Sequence, residues 1–173
     1  MRRLFLIRKD LHLSAGKLAA MVGHCSEAYW TRLINDGKGM EHIKTEEYGG
    51  GSYYNVSIQI NGSIVNDYIN GIFTKTICEA KNLNHLMKAN VIAEELGLIK
   101  GTDFDFINDC CLTELTPENE DGTCTVGIWF KPLEDDIAHK ISKNLKLMEG
   151  IIWKKLLRFF TNCKIQAVSM RRN

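Results

Sequence analysis

Leu4-Phe5-Leu6-Ile7-Arg8-Lys9-Asp10-Leu11-His12-Leu13-Ser14-Ala15-Gly16-Lys17-Leu18-Ala19-Ala20-Met21-Val22-Gly23-His24-Cys25 is the stretch whose reading decides the fold. Leu4–Arg8 is a short, mostly apolar run. Asp10–Ser14 is a polar turn, and a helical pattern starts near Ala15. Leu18, Met21, Val22, Cys25, Ala28 and Tyr29 recur at three- and four-residue intervals, which puts them on one helix face. Ser14 precedes that pattern as an N-cap, because its hydroxyl can accept from a first-turn amide. Open α/β sheets place their ligands where such a strand hands over to a helix. Gly16 and Lys17 fall at the helix start, where unpaired amides and the positive dipole end suit a phosphate or a developing oxyanion. His24 follows seven residues after Lys17, on nearly the same face and about 10 Å along the axis.

Outward from this stretch, the helix runs to about Asn35 and stops at Asp36-Gly37-Lys38-Gly39. Met40–Gly51 reads as loop. Tyr54, Val56, Ile58 and Ile60 alternate with polar residues, the pattern of a half-buried strand. Asn61-Gly62 then either closes a hairpin or precedes a short helix at about Ile64–Asn70. Further strands are expected at Ile72–Cys78, Phe104–Asn108 and Cys124–Phe130. Helices are expected at Asn82–Leu96, with Leu83, Leu86, Met87, Ala93 and Leu96 inward, and from Asp135, burying Ile137, Ile141 and Leu145. The acidic turn Thr116–Gly122 is short enough to make the last strand antiparallel to the one before it. Two strand–helix–strand crossovers, right-handed by rule, put helices on both faces of one sheet. The expected class is therefore α/β, with a mixed sheet that is mostly parallel and has its last strand antiparallel.

Composition narrows the function. At 173 residues the chain suits one domain with its own core, and 45% hydrophobic with 25% charged residues is ordinary for a soluble protein. No apolar run approaches the roughly 20 residues that span a bilayer, and Leu4–Ile7 is too short for a signal-peptide core. No membrane contact by a spanning helix is expected, and a cytoplasmic location follows by default. Cys25, Cys78, Cys110, Cys111, Cys124 and Cys163 form no Cys-x-x-Cys pair and no zinc-like spacing. They read as reduced, space-filling residues, although vicinal Cys110-Cys111 beside Asp109 also admits thiol chemistry. Neither metal nor other cofactor is implied. A net charge of +1 gives no overall signature of nucleic-acid binding. Yet Arg2, Arg3, Arg8, Lys9 and Lys17 cluster at the start, and Lys154, Lys155, Arg158, Arg171 and Arg172 at the end, so a local basic patch is expected. Ile152, Trp153, Leu156, Leu157 and Phe160 make an amphipathic basic helix of the last segment. Its apolar stripe either docks on its own domain or on a second copy, or meets tRNA or a membrane surface.

Leu6-Ile7-Arg8-Lys9-Asp10-Leu11, Ser14-Ala15-Gly16-Lys17-Leu18-Ala19-Ala20 and His24 together resemble the opening of the type II peptidyl-tRNA hydrolases. Asp109-Cys110-Cys111-Leu112-Thr113-Glu114 is similar to that family's Asp-Ala-Gly-Arg-Thr-Gln segment, and Gly122-Thr123-Cys124-Thr125-Val126 to its Gly-Thr-x-Thr-Val strand. The resemblance covers about Leu4–Asn35 and Gly71–Leu147. It implies a domain over 1–147 with an insertion at about 40–70, and an extension over 148–173. It also implies an α/β/α three-layer sandwich with a four-stranded mixed sheet. The implied activity is hydrolysis of the ester joining a peptide, or an N-blocked amino acid, to the terminal ribose of tRNA. Peptidyl-tRNA is then the partner, and a homodimer remains open.

No Gly-x-Ser-x-Gly elbow and no His-Glu-x-x-His is present, so directly activated water remains. The candidate catalytic residues are Lys17, Asp109, Thr113 and His24; the candidate substrate-binding residues are Gly16, Arg8, Lys9 and Thr125. Asp109, at the end of a buried-looking strand, either deprotonates the water with a pKa raised by desolvation or pairs with Lys17 and fixes geometry. Lys17 would stabilise the oxyanion or hold the terminal phosphate. His24 is read either as a satisfied core histidine or as a site residue. Thr113 can serve the water or its local backbone, and β-branching alone explains a strand Thr125. Leu112 stands where the family has Arg, and Met21 where it usually has Gln. These two departures support an alternative: a weak or inactive member that binds tRNA or protein.

Overall fold

β1, Arg3–Arg8, is buried along its whole length, as its unbroken apolar run requires of a strand covered on both faces. The computed structural model describes residues 1–44, 52–143 and 145–148. After β1 come α1 (Ala15–Asn35), β2 (Lys38–Lys44), β3 (Ser52–Ser57) and a π-helical turn (Ile64–Ile69). β4 (Lys75–Ala80), α2 (Leu83–Glu95), β5 (Phe104–Asp109), β6 (Cys124–Phe130), α3 (Asp135–Ser142) and β7 (Lys146–Leu147) follow. The main sheet has five strands in the order β5-β6-β1-β4-β7, and β2 pairs with β3 in a separate antiparallel ribbon.

Period two along β1 divides the core. Phe5 and Ile7 point into one cluster with Met21, Cys25 and Tyr29 of α1 and Val126 and Trp129 of β6. Leu4 and Leu6 point into another with Leu86, Ala89 and Ala93 of α2 and Ala138 and Ile141 of α3. Arg3 and Arg8 are the buried charges on this strand, and Arg3 is the one with no acid beside it among the described residues. Its buried guanidinium donates to the carbonyls of Cys25, Ser26 and Phe130 and lies 5.0 Å from the Phe5 ring centroid. A charge without a carboxylate partner is tolerated there because its donors meet carbonyls.

Several expectations are corrected. The sheet has five strands rather than four, because Lys146–Leu147 adds an edge to β4. It is also not mostly parallel. β1, β4 and β5 do run the same way, but β6 runs against them and inserts between β5 and β1, so β1–β4 is the one parallel neighbour pair. Met40–Lys44, expected as loop, belongs to β2. β4 begins at Lys75, and Ile72 is 90% exposed. Met87 faces solvent, because α2 buries Leu86, Ala89, Asn90 and Ala93, a stripe of three- and four-residue steps that excludes a neighbour of Leu86. The basic extension lies, from 149 onward, outside the described residues.

These directions bring one set of chain ends together. The carboxyl ends of β5, β1 and β4 and the amino ends of β6 and β7 share one edge of the sheet. Lys17, Asp109, Arg8 and Lys9 all come from that edge.

Candidate active site

α1 starts where the sequence requires. The Ser14 hydroxyl accepts from the Lys17 backbone N–H at 3.2 Å, and the Ser14 N–H donates to Glu114 Oε1 at 3.0 Å. The helix start is thereby laced to the segment that follows β5. Lys17 makes the second link: its Nζ lies 2.6 Å from Asp109 Oδ2 and donates to Thr113 Oγ1 at 3.1 Å. The Asp109 and Lys17 side chains are 9% and 15% exposed, so the pair is shielded but open to water on one side. An ammonium carries three donors, and Asp109 and Thr113 engage two.

Asp109 is held from its other oxygen by the Cys111 N–H, 2.9 Å from Oδ1. That grip needs Cys111 in the left-handed region at φ 56°, which nothing about a cysteine announces in the sequence. Burial is the largest influence on Asp109 and pushes its pKa up. The Lys17 ammonium, the Cys111 N–H and the charge of His24 together outweigh it, and the carboxyl stays below its ordinary value. The expected rise by desolvation is therefore reversed by the partners. The ion pair with Lys17 is present.

His24 is exposed, so the core-histidine reading does not hold. Gly16 is exposed, with open space where a Cβ would point. Met21, by contrast, is buried against β1 and lines no groove. Leu112 is 89% exposed beside Thr113.

Arg8 is engaged by the protein itself. It is buried, donates to both carboxylate oxygens of Asp10 and of Glu118, and gives a further hydrogen bond to the Thr125 carbonyl at 2.9 Å. Its pKa is raised by these bonds, first by that to Asp10; those of Asp10 and Glu118 are lowered, first by the bond from Arg8. Thr125 is part of the same lacing, its Oγ1 accepting from Asn119 Nδ2 at 3.2 Å. Lys9 pairs with Glu79 at 2.5 Å. Arg2 pairs with Asp135, so every cation of the expected N-terminal patch already has a protein partner. Of the acids that pair with Arg2, Arg8, Lys9 and Lys17, Asp10 is a neighbour in sequence, whereas Glu79, Asp109, Glu118 and Asp135 are far away and no local pattern reveals them.

Thiol chemistry gains little. Cys25, Cys78 and Cys124 are buried, and burial pushes the pKa of Cys25 to about 12 and of Cys124 to about 11. Cys110 is exposed and Cys111 half-buried, so these two do not fill space as expected. Slight desolvation and the neighbouring Asp109 raise the Cys111 pKa, which disfavours the reactive thiolate. Among the described residues, no group of three or more His, Cys, Asp or Glu could hold a metal ion, and no helix is long and apolar enough to cross a membrane.

A mixed α/β sheet with a lysine–carboxylate pair at the edge where a strand hands over to a helix defines an α/β protein with a polar, partly shielded cluster at that edge. The chain belongs to the peptidyl-tRNA hydrolase PTH2 family, whose sequence model matches residues 1–148. Among solved structures it is similar to a protein of unknown function from Agrobacterium tumefaciens, at 13% identity and a TM-score of 0.47, over 86% of this chain and 97% of that one. No curated protein matches it.

Proposed function

We propose that the protein hydrolyses the ester between a peptidyl or N-blocked aminoacyl group and the 3′ ribose of tRNA, using directly activated water. The observation that carries this reading is the Lys17–Asp109–Thr113 cluster in a chain of this family. Water adds to the ester carbonyl, and the third Lys17 donor stabilises the oxyanion that forms. Asp109, kept ionised by Lys17 and Cys111, accepts a hydrogen bond from the water and aims it, while Thr113 fixes the Lys17 ammonium. The C–O bond to the ribose then breaks, giving a carboxylic acid and a ribose hydroxyl. The proton lost by the water reaches the leaving oxygen through His24, which is exposed on α1 and whose charge bears on Asp109.

Release of free tRNA from an N-acetyl-aminoacyl-tRNA tests the reading. Lys17→Ala should lower kcat by about a hundred- to a thousandfold, the usual loss for one oxyanion donor. Unchanged rates in folded Lys17→Ala and Asp109→Asn would remove the assignment. Leu112, exposed at the site where the family pattern has a cation, favours the second reading, a module that binds tRNA or protein without turnover. That reading requires binding by a protein that leaves the ester intact.

A further inference from the structure

Three strands along the same edge, a second group of cations stands apart from the ester chemistry. Lys9, Lys81, His85 and Lys146 surround an open cavity of about 270 Å³, with Glu79 as the acid among its lining residues. Glu79 is matched by Lys9. Lys81 and Lys146 are exposed and have no acidic partner among the described residues. The cavity is thus a net-positive recess rather than a balanced salt-bridge network. It is built by separate elements: Lys9 follows β1, Lys81 follows β4, His85 is in the first turn of α2, and Lys146 opens β7.

Its occupant follows from chemistry and position. The lining offers no aliphatic side chain to take a peptide residue, and His85 is its one ring among three ammonium groups. Lysine ammonium groups are compact point charges, suited to phosphate oxygens. From Asp109 at the end of β5, the path crosses β6 and β1 to reach β4, about 14 Å at the usual strand spacing. A stacked strand advances about 3.4 Å per phosphate, so an RNA whose last ribose lies at Lys17 passes this recess within about four nucleotides.

We infer that this recess holds a backbone phosphate of the single-stranded 3′ end of the RNA substrate, a few nucleotides before the ester. The inference rests on the proposed hydrolysis only for its choice of RNA end. Recognition here is of phosphate, because the groups left without an acidic partner in the recess, among the described residues, are the ammonium groups of Lys81 and Lys146.

The test uses the full chain and three probes: N-acetyl-aminoacyl-tRNA, N-acetyl-aminoacyl-adenosine without any phosphate, and a fluorescent single-stranded RNA matching a tRNA 3′ end. The variant is Lys81→Glu with Lys146→Glu, or both to Ala if charge reversal prevents folding. KM for the tRNA substrate should rise, while kcat/KM for the adenosine ester stays at the unmodified protein's value. Binding of the RNA should weaken, and its salt dependence should flatten by about 0.7 in log–log slope, the share of the one phosphate no longer neutralised. Unchanged KM and salt slope would overturn the inference while leaving the hydrolase reading intact. If the unmodified protein cleaves neither ester, the hydrolase reading fails instead, and the RNA binding slope alone decides the recess.

Discussion

Asp109 and Lys17 form an ion pair in which the carboxylate is already at rest. A general base works best with a pKa near the working pH, whereas Asp109 lies below its ordinary range. Its role in the proposed reaction is therefore to orient, and the pH–rate profile carries the distinction. With the pKa lowered, Asp109 stays ionised as pH falls through the usual carboxylate range. The rate limb that belongs to it should appear only below that range. An inflection near neutral pH that persists in His24→Ala and vanishes in Asp109→Asn would make Asp109 the base after all. At this scale the sequence is informative about Lys17, Asp109 and Thr113 as a group, because a helix start and a strand tip at one sheet edge must approach. It is misleading about Arg8. A basic residue at the end of a strand reads as a substrate ligand; Asp10 stands two residues away, but Glu118 becomes visible only once it is brought across 110 residues.

Between elements, β6 is what the local pattern could not place. Its bounds, Cys124–Phe130, are legible in its residues, and so is its direction against β5. Its neighbour on the other side is not, because alternation tells which face a side chain takes and nothing about lateral order. Gly127 records the answer. It pairs with Ile7 of β1 and Ile107 of β5, next to a register shift between Ile107 and Asn108. A methyl added there would strike the Leu6 carbonyl oxygen and come within 2.9 Å of Ile7 Cδ1. The backbone oxygen cannot turn aside, so strand β6 would have to move off β1. Gly127→Ala should destabilise by about 1–3 kcal/mol, the range for overpacking a filled interior. Denaturant unfolding with unchanged m would measure it. A variant as stable as the original would mean that β6 is not held against β1 at this register.

Across the whole molecule, charge is used to bind the chain to itself. Arg2, Arg8, Lys9 and Lys17 are each paired with an acid, which gives this part of the sheet edge fixed geometry and leaves Lys81 and Lys146 as its unpaired cations among the described residues. Arg8 is the hub: it ties β1 to the turn at Asp10, to the Thr125 carbonyl on β6 and to Glu118 in the acidic loop. Removing one partner of a buried pair costs about 3–5 kcal/mol, and Arg8→Ala belongs near the low end because Asp10 and Glu118 are partly exposed and can turn to water. A loss of about 3 kcal/mol corresponds to a fall of about 6–12 °C in Tm for a domain of this size. The sign of the pH effect follows from the lowered pKa values of Asp10 and Glu118. Groups depressed in the folded state add stability that is present above their unfolded pKa and is lost as pH falls through their folded pKa. The unmodified protein should therefore lose stability on acidification through and below the ordinary carboxylate range. Arg8→Ala, whose carboxylates return to ordinary values, should lose much less over the same interval, so the two stability curves converge at low pH. Parallel curves would show that Arg8 holds the fold by packing its aliphatic stem rather than by its charge.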